Sequence, residues 1–238
     1  IGINGGPLFQ MNPSVSFHVK AESREKVDEL WEKLLPGAKV LMELGSYPFS
    51  DRYGWIEDRF GVSWQIIDAS KMSPKPRFTP VLMFTQSVAG RAEEAGNFYT
   101  SLFPNSKAQV MMRYSKEQAP EKEGTVAYEH LWLGGDEIGV MDSASSHQFT
   151  FNEGISLMIN CENQEEVDHY WNKITSDGGS ESQCGWCKDK FGVSWQVAPR
   201  ILDEMIRTLS REQSERVMKA MLQMKKIIIA DLEKAARG

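Results

Sequence analysis

The sequence predicts an α+β fold of paired βαβββ modules followed by a helical C-terminal tail, and three observations predict it. One segment of the chain occurs twice. Each copy reads as a strand, a helix and three strands. An unlike segment between the copies reads in the same order. The repeat runs from Asn12 and again from Asn152. Asn-Pro-Ser-Val-Ser-Phe meets Asn-Glu-Gly-Ile-Ser-Leu, and Glu22, Glu25, Val27, Asp28, Trp31 and Lys33 meet Glu162, Glu165, Val167, Asp168, Trp171 and Lys173. After a gap, longer in the first copy, the run from Gly54 to Ile66 meets the run from Gly185 to Val197. Trp55, Asp58, Phe60-Gly61-Val62-Ser63-Trp64-Gln65 recur there as Trp186, Asp189, Phe191-Gly192-Val193-Ser194-Trp195-Gln196.

Each element has a local reason. Val15 to Val19 and Ile155 to Ile159 alternate as strands do. Ser23 and Asn163 are good helix N-caps, and Glu166 stands three residues after Asn163, as in a capping box. Val27, Leu30, Trp31, Leu34 and their counterparts Val167, Tyr170, Trp171, Ile174 form one apolar helix face. Strands are expected near Val40 to Leu44, around Trp55 and around Trp64, the last two joined by a turn at Asp58-Arg59-Phe60-Gly61 whose glycine supplies the backbone angles. In the middle unit, Thr79 to Phe84 is a strand. Glu93 to Phe103 is a helix with stripe Ala95, Phe98, Tyr99, Leu102. Strands follow at Ala108 to Tyr114, Thr125 to Leu133 and Glu137 to Asp142, the last pair turning at Gly134-Gly135-Asp136. The tail carries a helix over Ile201 to Leu209, a capping box at Ser210-Arg211-Glu212-Gln213, and a further helix within Lys225 to Ala236.

The chain has 238 residues, a net charge of −6 and 41% hydrophobic residues, which is ordinary globular composition. No basic cluster suits nucleic acid, and no apolar run is long enough for a membrane span. The first ten residues lack the charged and apolar regions of a signal peptide. The three cysteines, Cys161, Cys184 and Cys187, then point to a reducing compartment, so the protein is expected in the cytoplasm. Ile1-Gly2-Ile3-Asn4 aligns with Ile138-Gly139-Val140-Met141, so residues 1–69 are expected to be the back half of a first domain. The missing module would come from a longer chain or from a partner copy. Residues 70–77 read as a linker, 78–199 as a complete two-module domain and 200–238 as the helical tail. A homodimer is the expected assembly.

Several runs carry a family resemblance: Ala92 to Ser106, Gln183-Cys184-Gly185-Trp186, Asp189 to Gln196, and Val217 to Lys226. Together they resemble PhnB-like proteins, often labelled 3-demethylubiquinone-9 3-methyltransferase, within the vicinal-oxygen-chelate (glyoxalase/bleomycin-resistance/dioxygenase) superfamily. The resemblance covers essentially the whole chain. It implies a curled sheet around a small-molecule pocket, metal-assisted in some members and metal-free in others. Methyl donors commonly sit on a parallel sheet with a strand–Gly-x-Gly–helix turn. No such unit is present, so methyl transfer is the least favoured reading.

In that framework the last-strand metal ligand is typically a carboxylate, but Gln65 and Gln196 stand there. Ser14 and Gly154 occupy the first-strand ligand place. His18 reads as a satisfied surface or core histidine. Glu129 and His130 are neighbours on a strand, so they face opposite sides. Tyr128, His130 and Trp132 are the set left for the pocket. Trp186, Met158, Asn160 and Gln196 complete the candidate ligand-binding residues with His130, Glu129 and Tyr128. Cys184-Gly185-Trp186-Cys187 reads as half-buried thiols on or beside a strand. The expectation is metal-free binding or sequestration of a small molecule. No metal site is expected and no cofactor is identified. The alternative is a metal-dependent glyoxalase- or dioxygenase-type enzyme acting on a small oxygenated compound.

Overall fold

A computed structural model of the chain describes residues 2, 6–71 and 78–238. Most of the expected first strand at residues 1–4 and most of the expected linker at 70–77 lie outside the described residues. The chain divides into two compact units, Ile1–Gly154 and Ile155–Gly238.

The first unit is built on an eight-stranded sheet. Its first module comprises β1 (Val15–Ala21), α1 (Arg24–Leu34), β2 (Lys39–Tyr47), β3 (Ser50–Glu57) and β4 (Ser63–Asp68). Its second comprises β5 (Phe78–Phe84), α2 (Ala92–Leu102), β6 (Lys107–Arg113), β7 (Val126–Leu133) and β8 (Asp136–Asp142). The sheet order is β2-β3-β4-β1-β5-β8-β7-β6. Within each module the first and last strands run parallel, β1 with β4 and β5 with β8, because the helical crossover returns the chain in the same direction. The modules join through an antiparallel β1–β5 ladder that sets Val15 against Leu82 and His18 against Thr79. The middle module therefore pairs with the module before it, whereas the sequence grouped it with the one after.

Both helices pack on one face of this sheet. On α1, Val27 and Trp31 bury against Val19, Ala21, Ile56 and Ile66. Ser23 caps α1, its hydroxyl accepting from Lys26 N at 3.3 Å. The start of α2 has no side-chain cap of its own. Asp142, at the end of β8, accepts from Gly90 N at 2.8 Å and Ala92 N at 3.0 Å, and thereby fixes the helix to the sheet.

The second unit has a four-stranded sheet, β10 (Ser180–Glu181), β11 (Trp186–Lys188), β12 (Ser194–Pro199) and β9 (Leu157–Cys161), with α3 (Gln164–Thr175) as its helix. Asn163 caps α3 through Glu166 N at 2.9 Å, but the Glu166 carboxylate accepts from Glu162 N at 2.8 Å. The expected box thus closes one residue earlier than drawn from sequence. The tail forms α4 (Arg200–Thr208), α5 (Arg211–Met221) and α6 (Ile229–Arg237). The capping box at Ser210 and Gln213 is present. Leu202, Val217, Ile227, Leu232 and Ala236 bury together as the tail's own core. Gln164 ties it to α3, accepting from Ile229 N at 2.8 Å and donating to Ile227 O at 3.2 Å.

The repeated Asp-x-Phe-Gly-Val-Ser-Trp run has one structural job in both copies. Asp58 Oδ1 accepts from Phe60 N at 2.8 Å and Val62 N at 3.0 Å, and its Oδ2 accepts from Trp64 Nε1 at 3.0 Å. Asp189 makes the same three bonds to Phe191, Val193 and Trp195, at 2.9, 3.0 and 2.9 Å. Gly61 and Gly192 take φ of 84° and 89° where the turn reverses. The carboxylate closes the hairpin and anchors its tryptophan.

Candidate functional site

Strand alternation decides what the helix-free face of the eight-stranded sheet carries. Across the sheet it presents Tyr53 and Trp55 from β3, Ser63 and Gln65 from β4, and Ser16, His18 and Lys20 from β1. It continues with Thr79, Val81 and Met83 from β5, Glu137, Gly139 and Met141 from β8, and Tyr128, His130 and Trp132 from β7. One end is aromatic: Tyr53, Trp55, Ile67 and Met83 pack with Tyr47, Met141 and Phe149.

The polar centre of the face is assembled over long sequence distances. Tyr128 Oη lies 3.5 Å from His18 Nδ1, the rings meeting edge-on at 5.8 Å. Gly139 makes this reach across β8 available. A Cβ there would stand 2.7 Å from the Tyr128 hydroxyl and 2.9 Å from its ring, so any side chain would push the tyrosine away. His130 stacks on Trp132 at 4.3 Å, and Lys107 Nζ sits 4.3 Å over the same indole. Glu137 Oε2 lies 3.3 Å from Lys20 Nζ and 2.9 Å from His130 Nε2, the latter contact out of line for a hydrogen bond. Next to these, Gln65 is fully engaged. Its Oε1 accepts from Tyr53 Oη at 2.7 Å, and its Nε2 donates to Ser16 Oγ at 2.8 Å. Trp55 Nε1 donates to Ser63 Oγ at 2.7 Å.

Burial sets the protonation states. It is the main cause that pushes His18 down to about 4, with Lys20 and His130 adding to it, so His18 is neutral at pH 7. Burial also lowers His130, against the opposing pull of Glu137. Burial raises the phenols of Tyr53 and Tyr128 above their ordinary range, and both keep their protons. Besides His130 Nε2, two polar atoms among the described residues of the face are buried without any hydrogen-bond partner, His18 Nε2 and Thr79 Oγ1. They belong to residues directly opposite each other in the β1–β5 ladder.

Several candidates named from sequence fall elsewhere. Glu129 faces the helices, 3% exposed, beneath Gly96 of α2. Trp186, Met158, Asn160 and Gln196 belong to the second unit. In the repeat their counterparts are Trp55, His18, Lys20 and Gln65, and those are the residues that share a face with Tyr128 and His130. Gln196 Nε2 donates to Ser156 Oγ at 2.7 Å, repeating the Gln65–Ser16 bond. The sequence reading did not place Lys20, Thr79, Glu137 or His18 among its candidates for this face. Gly139, a glycine inside an apolar strand, was the available signal of close approach.

The donor set does not fit a metal ion. Gln65 is committed at both ends, Glu137 is shared between Lys20 and His130, and among the described residues no three His, Cys, Asp or Glu side chains converge. The cysteines do not fit a redox pair either. They are free thiols, and burial pushes Cys161 and Cys187 up to about 12, the opposite of what a reactive thiol needs. Among the described residues no helix is long and apolar enough to cross a membrane.

The sequence pattern of a family described as 3-demethylubiquinone-9 3-methyltransferase matches residues 1–67 and 76–198. No curated protein matches. Among solved structures, a PhnB protein from Bacillus cereus is 40% identical over 51% of this chain and 97% of its own, with a TM-score of 0.46. Glyoxalase I from Zea mays is 12% identical over 80% of this chain and 69% of its own, with a TM-score of 0.52, a likeness of fold alone. A protein from Pseudomonas aeruginosa is 20% identical over 50% of this chain and 93% of its own, with a TM-score of 0.41.

Proposed function

This chain belongs to the 3-demethylubiquinone-9 3-methyltransferase family, the PhnB-like branch of the vicinal-oxygen-chelate superfamily, and on that premise we propose that it binds a small molecule on the helix-free face of its eight-stranded sheet without a metal ion. One observation carries the reading: His18 Nε2 and Thr79 Oγ1 are buried and unpartnered side by side on that face. Buried polar groups are nearly always satisfied, and each that is not costs on the order of 1–3 kcal/mol. A ligand that supplies the missing bond recovers that cost. Tyr53, Trp55, Met83 and Phe149 offer apolar contact next to it, the usual make-up of a small-molecule site.

The roles follow from the geometry. Thr79 and His18 hold the polar group of the ligand. Tyr128 orients His18 through Nδ1, and Gly139 keeps the path of Tyr128 clear. Lys20 and Glu137 neutralise each other at the rim. A second reading, a metal-dependent enzyme of the glyoxalase or dioxygenase kind, rests on the superfamily, and among the described residues no three His, Cys, Asp or Glu side chains converge to serve it. We place the protein in the cytoplasm, with a second copy of the chain as its protein partner.

The test is ligand-observed NMR with a panel of small oxygenated ring compounds. It is run on chelator-treated protein and again after exposure to Fe²⁺, Mn²⁺, Ni²⁺ and Zn²⁺. The same binders with the same affinities in both series support the proposal. Binding or turnover that appears only after one metal is added, with stoichiometric uptake of that metal, refutes it and favours the second reading.

A further inference from the structure

The tautomer of His18 sets the hydrogen-bonding sense of the polar patch. Tyr128 keeps its proton and its hydroxyl stands 3.5 Å from Nδ1 of His18, where the roles depend on the imidazole tautomer; in the tautomer protonated at Nε2 the phenol is the donor. Nδ1 of His18 then accepts, and the single ring proton sits on Nε2. That N–H is buried and meets no acceptor. Thr79 is fully buried, and its hydroxyl has no partner. Two free donors thus stand in register on neighbouring strands. The charges facing them are Lys20 and Glu137, 3.3 Å apart and mutually compensated, and His130, whose ring lies against Trp132. The Lys20–Glu137 pair leaves no net charge beside the two donors, and Lys107 stands further off, over the Trp132 ring. On the β3 side the wall is aromatic: Tyr53 packs against Tyr47 and Phe49, and Phe49 is 42% exposed at the edge of the cluster.

Resting on the function proposed above, we infer that His18 and Thr79 together seat one hydrogen-bond-accepting oxygen of an uncharged, ring-bearing ligand, a carbonyl compound and not a carboxylate. A carbonyl oxygen has two lone pairs and matches two convergent donors. A carboxylate would bring a full charge into a buried patch whose cation Lys20 is already paired with Glu137, and the desolvation of that charge is poorly offset there. The flat ring lies toward Tyr53 and Trp55, where stacking and edge contacts favour it.

The experiment compares 1-indanone with indane, which has the same ring frame without the oxygen, and with benzoate as the anion. Dissociation constants are measured by NMR titration on the full chain. Two neutral hydrogen bonds predict that 1-indanone binds about tenfold tighter than indane. Thr79→Val should cut that ratio to about threefold, and His18→Phe should bring it near unity. Equal affinity for 1-indanone and indane in the unaltered protein overturns this inference while leaving the face as a binding site. Benzoate binding tighter than 1-indanone also overturns it. Failure of all three probes to bind overturns it together with the functional reading on which it rests. The comparison in unaltered protein decides the matter even if a variant fails to fold.

Discussion

Replacing Glu129 by glutamine tests how the second module of the first unit carries a buried acid. The carboxyl is 3% exposed, faces α2, and its Oε2 has no hydrogen-bond partner. Gly96 lets the helix approach it so closely that a Cβ there would stand 2.5 Å from Oε2. Burial is the main cause that pushes this acid up from 4.5 to about 7. Glu93 and Asp142 add to the rise, and Arg113 opposes it. The folded state therefore holds its proton in a pH range where the unfolded chain has lost it. Folding then binds a proton between about pH 4.5 and 7, so stability falls as pH rises through that window and is flat above it. Each pK unit is about 1.4 kcal/mol, which caps the loss near 3 kcal/mol. The Arg113–Glu93 pair beside the site is solvent-exposed, and screening there brings the expected loss to about 2 kcal/mol. Urea denaturation at intervals from pH 4.5 to 8.5 reads it directly. Glu129→Gln should match the unaltered protein near pH 5 and exceed it by about 2 kcal/mol at pH 8. Two parallel stability curves would refute the argument, because they would mean that the acid titrates alike folded and unfolded.

Other outcomes follow from single contacts. Thr79→Val removes a buried hydroxyl without a partner and should raise ligand-free stability by about 1–2 kcal/mol, seen as a higher Tm. Asp189→Ala strips two backbone N–H groups and an indole N–H of their acceptor and should cost about 2–3 kcal/mol in urea denaturation. Asp58→Ala, at a more exposed turn, should cost less. Gly139→Ala places a methyl against Tyr128 and should cost about 1–3 kcal/mol. It should also move the His18 ring resonances in the NMR spectrum, and unchanged resonances would show that the tyrosine does not depend on that gap. Iodoacetamide at pH 8 should modify Cys184 well before buried Cys187 and Cys161, as peptide mapping would reveal.

The modules were legible because they are written twice. A repeated pattern of strand, helix and strands needs no knowledge of what packs on what, and the helix caps and turns are set within a few residues. The Asp58 and Asp189 motif was visible as a repeat, yet its meaning lies in hydrogen bonds that only the folded hairpin brings together. The site was less legible for a definite reason. Whether Tyr128 meets His18 or Met158 depends on which copy the middle module pairs with, and strand pairing is a long-range choice. The sequence reading named the equivalent positions within a module, on the second copy. The first copy differs at the decisive place, with His18 where the second has Met158. The inward set on β7, Tyr128 with His130, needed only alternation and lies on the helix-free face.

The strand order β2-β3-β4-β1-β5-β8-β7-β6 reads the same from either end once the two modules are exchanged. The antiparallel β1–β5 seam is thus a local two-fold axis, and His18 and Thr79 meet across it. Such an axis imposes pairing on backbone but not on side chains. Here an imidazole faces a hydroxyl, and a ligand seated between them has a left and a right.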